Sequence, residues 1–324
     1  MRAPHLRLLL RRTYTTTPPP PSPKPRRHLL PITLTLLTAG AGTYYYTTIT
    51  TPQKPTHLNP DFFTRYTLTS HTPVSSHPAQ TAILTLTTTT PTPAPLPADK
   101  LLSIELKQPS LQIARHYTPL PGSADDATTL RLFIKKEPGG EMSRYLLSLH
   151  EGADVFVRGP HEEWDLEVRK KRVLFLAGGT GIAPALQAAE KVCARDPEAE
   201  VRVLWGVRAR PETEGEMEGE VERLGERFGE RVRVEVRVDR DGGIGRGEVE
   251  ALVRAWATAV GLSGPDGFLE FWAGRKEWAG GVETQGKLGG VLAEVLRRRE
   301  EEAVRRQKKS KVVEELKEIE VWKL

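Results

Sequence analysis

Three short stretches combine residue types that could hold phosphates and flat rings. The first is "RHYTPL", Arg115 to Leu120. A guanidinium can clamp a pyrophosphate through two parallel bonds, a tyrosine can lie along a planar ring, and a threonine can offer its hydroxyl and backbone to ring nitrogens. Pro119 then fixes a turn. Each residue alone is ordinary, and Tyr117 on a strand reads equally well as packing; the combination at a strand end is what raises a binding reading. The second is "GGEMSRYL", Gly139 to Leu146. Its glycines let backbone come close, and Met142 and Ser143 open a helix whose free N–H groups attract anionic oxygens. The plain alternative is a helix cap made by Ser143. Glu141 would repel a phosphate, so on the binding reading its side chain points away.

The third stretch is "FLAGGTGIAP", Phe175 to Pro184. Gly178, Gly179 and Gly181 leave an apolar run and permit both tight turning and close approach, Thr180 adds a hydroxyl, and Pro184 suits the first turn of a helix. The spacing is not the G-x-G-x-x-G of the dinucleotide fingerprint. Nucleotide cradle and glycine-rich turn both fit these residues taken alone.

Around these stretches the hydrophobic pattern predicts two kinds of architecture. From Phe62 to Pro160 the runs are short, alternating and β-branched ("FTRYTLTSH", "TAILTLTTT", "LLSIELKQ", "TLRLFIKK", "DVFVRGP"), which is the pattern of an antiparallel β-barrel or sandwich. One helix, "EMSRYLLSL", interrupts it, and the threonine and proline tract Thr87 to Pro97 reads as a loop. Beyond Arg172, strand-like runs ("RVLFLAGG", "EVRVLWGVR", "RVRVEVRVD") alternate with helical ones ("APALQAAEKVCARD", amphipathic, and "EGEMEGEVERLGERFGE", charged). Such alternation predicts a doubly wound parallel sheet with right-handed crossovers. The expected division is a barrel over 58–165, an α/β nucleotide-binding domain over 170–296, and a charged C-terminal helix with a terminal strand over 297–324.

The chain has 324 residues, 38% of them hydrophobic, enough for a core in each of two domains. Its net charge of +5 is unevenly placed. Residues 1–60 hold eight of the 47 basic residues and no acidic one, so the remainder sets 39 basic against 42 acidic residues. A basic leader on a mildly acidic body points to targeting or membrane contact and away from nucleic acid. Cys193, the sole cysteine, excludes an internal disulfide and a cysteine-rich metal site, and no metal site is expected. "MRAPHLRLLLRRTYTTT" has the arginines and hydroxyl residues of a mitochondrial transit peptide, expected over 1–27. The uncharged stretch 28–49, "HLLPITLTLLTAGAGTYYYTTI", has the length of a membrane span with tyrosines near one end, although Pro31 and the threonines make a poor apolar helix. Arg26 and Arg27 favour an N-terminus on the matrix side, leaving the body in the intermembrane space.

In order and spacing, "RHYTPL", "GGEMSRYL", "VRGP", "FLAGGTGIAP" and "SGPDGF" resemble the ferredoxin reductase-like flavoproteins, the family that includes cytochrome b5 reductase. The resemblance covers roughly residues 60–290. It implies FAD on the barrel and NADH or NADPH as electron donor on the α/β domain. It further implies that Arg115 holds the FAD pyrophosphate, Tyr117 flanks the isoalloxazine, Thr118 approaches the flavin ring, and Gly140, Met142 and Ser143 cap the phosphates. Gly179, Thr180 and Gly181 would lie against the nicotinamide nucleotide, with Gly264 and Pro265 as a second wall. Many relatives carry cysteine before that Gly-Pro pair, near the carbon that gives up hydride; here it is Ser263, and Thr118 and Ser263 are the residues expected nearest the reaction.

The leader, the 28–49 segment, "LSGPDGFLEFWAG" and "ETQGKLGGVL" also resemble the fungal mitochondrial inner-membrane flavoproteins that assist haem attachment to cytochrome c. That likeness implies an inner-membrane location and a haem protein such as cytochrome c, or its attachment machinery, as partner. Two other readings stand beside it: a membrane-anchored flavoprotein scaffold with impaired NAD(P)H oxidation, suggested by Ser263, and a general cytochrome b5 reductase-like enzyme. Arg208 and Arg210 follow the second strand of the nucleotide domain, where an adenosine 2′-phosphate could be met; the acidic "PETEGEMEGE" opposes that. His116 reads as an exposed spacer.

Overall fold

The computed structural model describes residues 55–75, 81–166, 171–310 and 319–324. The expected leader 1–27 and span 28–49 lie outside the described residues. Among the described residues no helix is long and apolar enough to cross a membrane. All of them fall in one compact unit, Lys54–Leu324.

Six strands, β1 (Thr64–Ser75), β2 (Thr81–Thr87), β3 (Lys100–Gln108), β4 (Ile113–Tyr117), β5 (Thr129–Lys135) and β6 (Asp154–Asp165), form one curled antiparallel sheet in the order β4-β3-β6-β1-β2-β5. Alternation dictates its two faces. Leu84 and Leu86 of β2 meet Leu68, Leu130, Leu132, Val155 and Val157 inside the curl, where Met142 and Leu146 of α1 (Glu141–Ser148) fill the open side. Ile83 and Phe133 face outward and join the core of the following domain. The expected barrel is closed by little: the chain leaves β4 and touches β5 through one Pro119–Leu132 bridge and the Leu120 N–H to Arg131 C=O bond of 2.7 Å.

The second sheet is parallel throughout, in the order β13-β10-β7-β8-β9. Its members are β7 (Arg172–Gly178), β8 (Glu200–Val207), β9 (Val232–Val238), β10 (Ala259–Ser263) and β13 (Glu320–Lys323); β11 (Glu277–Ala279) and β12 (Val282–Thr284) make a separate hairpin. The "VLFLA" run of β7 is apolar on both faces because both are covered. Val173, Phe175 and Ala177 pack toward α2 (Ile182–Arg195) and α3 (Glu216–Phe228). Leu174 and Leu176 pack toward α4 (Arg246–Ala255), α5 (Asp266–Ala273) and α6 (Gly290–Ser310). The doubly wound expectation is met. The boundary expected at 296/297 falls inside α6, and β13 then enters the nucleotide sheet beside β10, so these C-terminal elements are part of the α/β layer.

Among the described residues, two ion pairs tie the sheets together. Arg131 of β5 reaches Glu220 of α3, which is 2% exposed and also bound by Arg223; Lys135 reaches Glu212 at 2.6 Å. Buried pairs of this kind specify a docking register more than they add net stability, and losing one partner is costly.

Candidate functional site

Strands β7, β8 and β9 step outward in one direction, and β10 then returns to the other side of β7. The loops leaving β7 and β10 therefore part at the carboxyl ends of two neighbouring strands, which is where an open α/β sheet forms its ligand crevice. Ser263 lies opposite Ala177 at the end of the β7–β10 ladder. The "GGTG" and "SGP" loops, more than 80 residues apart in sequence, are thereby brought together.

The closeness explains the glycines. A Cβ built on Gly181 would stand 2.1 Å from the Ser263 carbonyl oxygen and 3.0 Å from the Gly264 nitrogen, and one on Gly264 would stand 3.1 Å from the Gly178 Cα. Only hydrogen fits at these points. Gly179 is used differently: its φ is +55° and nothing lies within 4 Å of where a Cβ would be, so it faces open space. Gly179–Gly181 form a single 3₁₀ turn leading directly into α2, which begins at Ile182, one residue before the expected Ala183. Pro265 is the residue before α5. Among the described residues, the hydroxyls of Thr180 and Ser263 have no protein partner, and both side chains are half-buried.

Arg115, Tyr117 and Thr118 are on and just after β4, the edge strand. Tyr117 is paired with Ile104 and packs against the barrel core; burial pushes its phenol up to about 12, so it is neutral in any physiological buffer. Arg115 is exposed, donates to the Ala114 carbonyl at 2.8 Å and has no carboxylate partner among the described residues. Its charge is therefore available to an anion.

The second stretch differs from expectation in one respect. Helix α1 begins at Glu141 with Gly140 as the cap residue, and no side chain caps it. Ser143 is buried and braces the preceding turn, accepting the Glu137 N–H at 3.0 Å and donating to the Gly140 carbonyl at 3.3 Å. Met142 is buried with the barrel core. At the start of α1 the unpaired groups are backbone N–H groups, with Gly139 at φ +73° and open space beside it. Glu141 is exposed, as a site for phosphate requires.

These features fit a flavin and a pyridine nucleotide: an unpaired guanidinium beside a half-buried tyrosine, a helix start with free N–H groups, and a glycine-walled crevice at the switch point. Two residues that hold the arrangement escaped the sequence reading. Trp205 of β8 donates its indole N–H to the Gly179 carbonyl at 2.8 Å. Gln187 of α2 bonds the backbone of Leu102 and Pro119. Its signal was a lone amide in a run, Ile182–Ala189, that is otherwise apolar or small and entirely buried; this half of α2 is enclosed on all sides, and only the later turns are amphipathic.

His116 is more than a spacer. Its Nδ1 is 2.9 Å from the Ser103 hydroxyl and 3.5 Å from Glu163, and Glu105, Arg158 and His161 complete the cluster. The bond to Glu163 holds its imidazole above the usual range, whereas burial and the His116 charge hold His161 below it. Cys193 is buried, and burial pushes its thiol up to about 11, which makes it unreactive packing.

Two family models match the chain: the oxidoreductase FAD-binding domain over residues 65–166 and the oxidoreductase NAD-binding domain over 175–259. Together they span more than half of it. The fold and site thus define a two-domain flavin and pyridine-nucleotide protein. The chain belongs to the ferredoxin reductase-like family of FAD- and NAD-binding oxidoreductases, cytochrome b5 reductase-like in kind, as its motifs led us to expect. An uncharacterized FAD-binding protein of Schizosaccharomyces pombe is 32% identical over 153 residues, 47% of this chain and 54% of that one. The cytochrome c mitochondrial import factor CYC2 of Saccharomyces cerevisiae is 29% identical over 151 residues, 41% of each chain. The match thus spans about half the length of these curated relatives. The solved cytochrome b5 reductase domain of Ulva prolifera nitrate reductase shares the fold, with a TM-score of 0.56 at 20% identity over 82% of this chain and 100% of that one.

Proposed function

We propose that this chain is an NAD(P)H-dependent FAD oxidoreductase that delivers electrons to a haem protein. The observation that carries the reading is the pair of glycine walls, Gly179–Gly181 and Ser263–Pro265, closed on each other at the switch point of a sheet that follows a flavin-type barrel. A bound FAD would supply the redox chemistry, as two-electron acceptor for a hydride and one-electron donor to haem. The protein binds and orients. Arg115 pairs with the pyrophosphate, the backbone N–H groups following Gly140 receive phosphate oxygens, Tyr117 flanks the ring system, and Thr118 reaches its polar edge. Gly179, Thr180 and Gly181 dock the nicotinamide nucleotide, and Ser263 sits where the hydride leaves. No separate acid or base is required.

Arg208 and Arg210 are exposed at the end of β8 without carboxylate partners among the described residues, and Glu212 is turned inward onto Lys135. That leaves room for a 2′-phosphate, while exposed Glu214, Glu216 and Glu218 oppose one; we read the site as serving NADH or NADPH. The partner in this reading is cytochrome c or its haem-attachment machinery, and the location is the mitochondrial inner membrane, with one N-terminal span and the body in the intermembrane space. The basic leader and the similarity to CYC2 support it.

Ser263 motivates a second reading, a flavoprotein scaffold that keeps FAD but is reduced poorly. Mixing the FAD-loaded full chain with NADH or NADPH without oxygen separates them. Rapid bleaching, followed by reduction of added ferric cytochrome c, is expected; flavin that stays yellow supports the scaffold. A chain extracted from mitochondria by carbonate would contradict the membrane span.

A further inference from the structure

We propose that Gln187 is the positioning residue that sets the distance between the flavin-side strand end and the nicotinamide cradle; the inference rests on the functional reading above. Strands β3 and β4 pair in the register Ile104 opposite Tyr117 and Leu106 opposite Arg115. Carried on by two residues, that register would set Leu102 opposite Pro119. The pair does not form: Pro119 has no N–H to donate and instead bridges to Leu132 of β5. Into the gap comes the Gln187 amide. Its oxygen accepts the Leu102 N–H at 2.7 Å, and its nitrogen donates to the Leu102 carbonyl at 3.2 Å and the Pro119 carbonyl at 2.8 Å.

One side chain thus replaces a rung of the ladder at the point where β4 leaves the sheet. Thr118 is held between the last true rung, at Tyr117, and the clamped Pro119. The other end of the device is the cradle, because Gln187 is on the helix that Gly179–Gly181 open, about 9 Å along its axis from Gly181 at 1.5 Å per residue. Gln187 is 5% exposed and satisfied on every side, so it is rigid and closed to water. A helix that carries the nucleotide cradle at its start and grips the flavin strand within its second turn ties the two docking surfaces to one frame. Hydride transfer needs such a frame, since a misplacement of about 1 Å can slow it by about 10²-fold.

The test compares wild type with Gln187→Met, which keeps the length but loses all three bonds, and Gln187→Glu, which keeps only the acceptor for Leu102. For each full-length protein the FAD dissociation constant, the rate of bleaching by dithionite, the limiting rate of bleaching by saturating NADH, and the long-wavelength absorbance of NAD⁺ against reduced flavin are measured. The expected result is a limiting NADH rate lowered by about tenfold or more and a weakened long-wavelength band in both variants, with FAD affinity and the dithionite rate nearly unchanged. An unchanged NADH rate and band would overturn the proposal, as would loss of FAD from both variants, which would leave a folding role alone. If wild type itself is not bleached by NADH, the failure lies in the functional reading and not in the role of Gln187.

Discussion

At Gly181 a single methyl group would stand 2.1 Å from a backbone oxygen of the opposite loop, whereas at Arg115 a long charged side chain extends from an edge strand into solvent. The proposed nicotinamide side of the site is built from backbone, with two loops in van der Waals contact and an indole N–H pinning one of them. The proposed flavin side combines side chains on β4 with the backbone N–H groups at the start of α1. Backbone walls tolerate almost no substitution but need no particular ligand charge, while a side-chain surface can lose one member and still stand. The two halves should therefore fail in different ways.

The largest effect is expected at the backbone side. Gly181→Ala must force the two loops apart, and the rate of flavin bleaching by saturating NADH should drop about 10²-fold or more while the protein keeps its yellow flavin. Stopped-flow absorbance without oxygen measures this; a rate within a few-fold of wild type would show that the walls are not where the nucleotide docks. Next is Arg115→Ala. Losing a charge-assisted clamp costs about 1.5–3 kcal/mol, so FAD affinity by titration should fall roughly ten- to a hundredfold, with the NADH rate of the fully loaded protein nearly preserved. An affinity that does not move would place the pyrophosphate elsewhere.

A smaller change is expected from Ser263→Cys. A polarizable sulfur beside a flat ring gains about 0.3–1.5 kcal/mol, so the limiting NADH rate should rise roughly two- to tenfold. A slower variant would show that the serine hydroxyl itself serves the reaction.

The smallest effect concerns pH and the outer face of β4. His116 is held above the usual imidazole range by Glu163, so its contribution is present at and below that range and is lost as pH rises through the raised value. Burial alone would raise the Glu163 carboxyl, but the hydrogen bonds from His116 and Ser103 bring it below the usual range; its contribution is lost as pH falls through that lowered value. Half-buried His161, held low, disfavours acid in the same direction. Protection of the Arg115–Tyr117 amides, taken as exchange relative to the unfolded-chain rate at each pH, should be greatest between these limits and fall on both sides, and Glu163→Gln should remove the alkaline limb. A flat profile would show that the cluster does not hold β4.

Much of the nicotinamide side was legible because its chemistry is carried by residue types that stand out: glycines after an apolar strand and a Gly-Pro pair before a helix. What the motif could not reveal was that the two loops touch, since Gly181 and Ser263 meet only through the order of β7 and β10. On the proposed flavin side, "RHYTPL" is visible as a set, but the helix cap offered by Ser143 as the alternative to phosphate binding falls to Gly140. A serine near a helix start can cap or brace, and only the backbone decides. Trp205 has no signal in the sequence, and Gln187 shows only as a lone amide in an otherwise apolar or small run. An indole in a strand and an amide in a buried helix look like packing until the groups they bond, more than 20 residues away, are known.

The most direct test of the account is the absorbance spectrum of the purified full chain after incubation with FAD and removal of the unbound flavin, before and after adding NADH in the absence of oxygen. The account predicts a yellow protein that NADH bleaches. A colourless protein that takes up no FAD would contradict it.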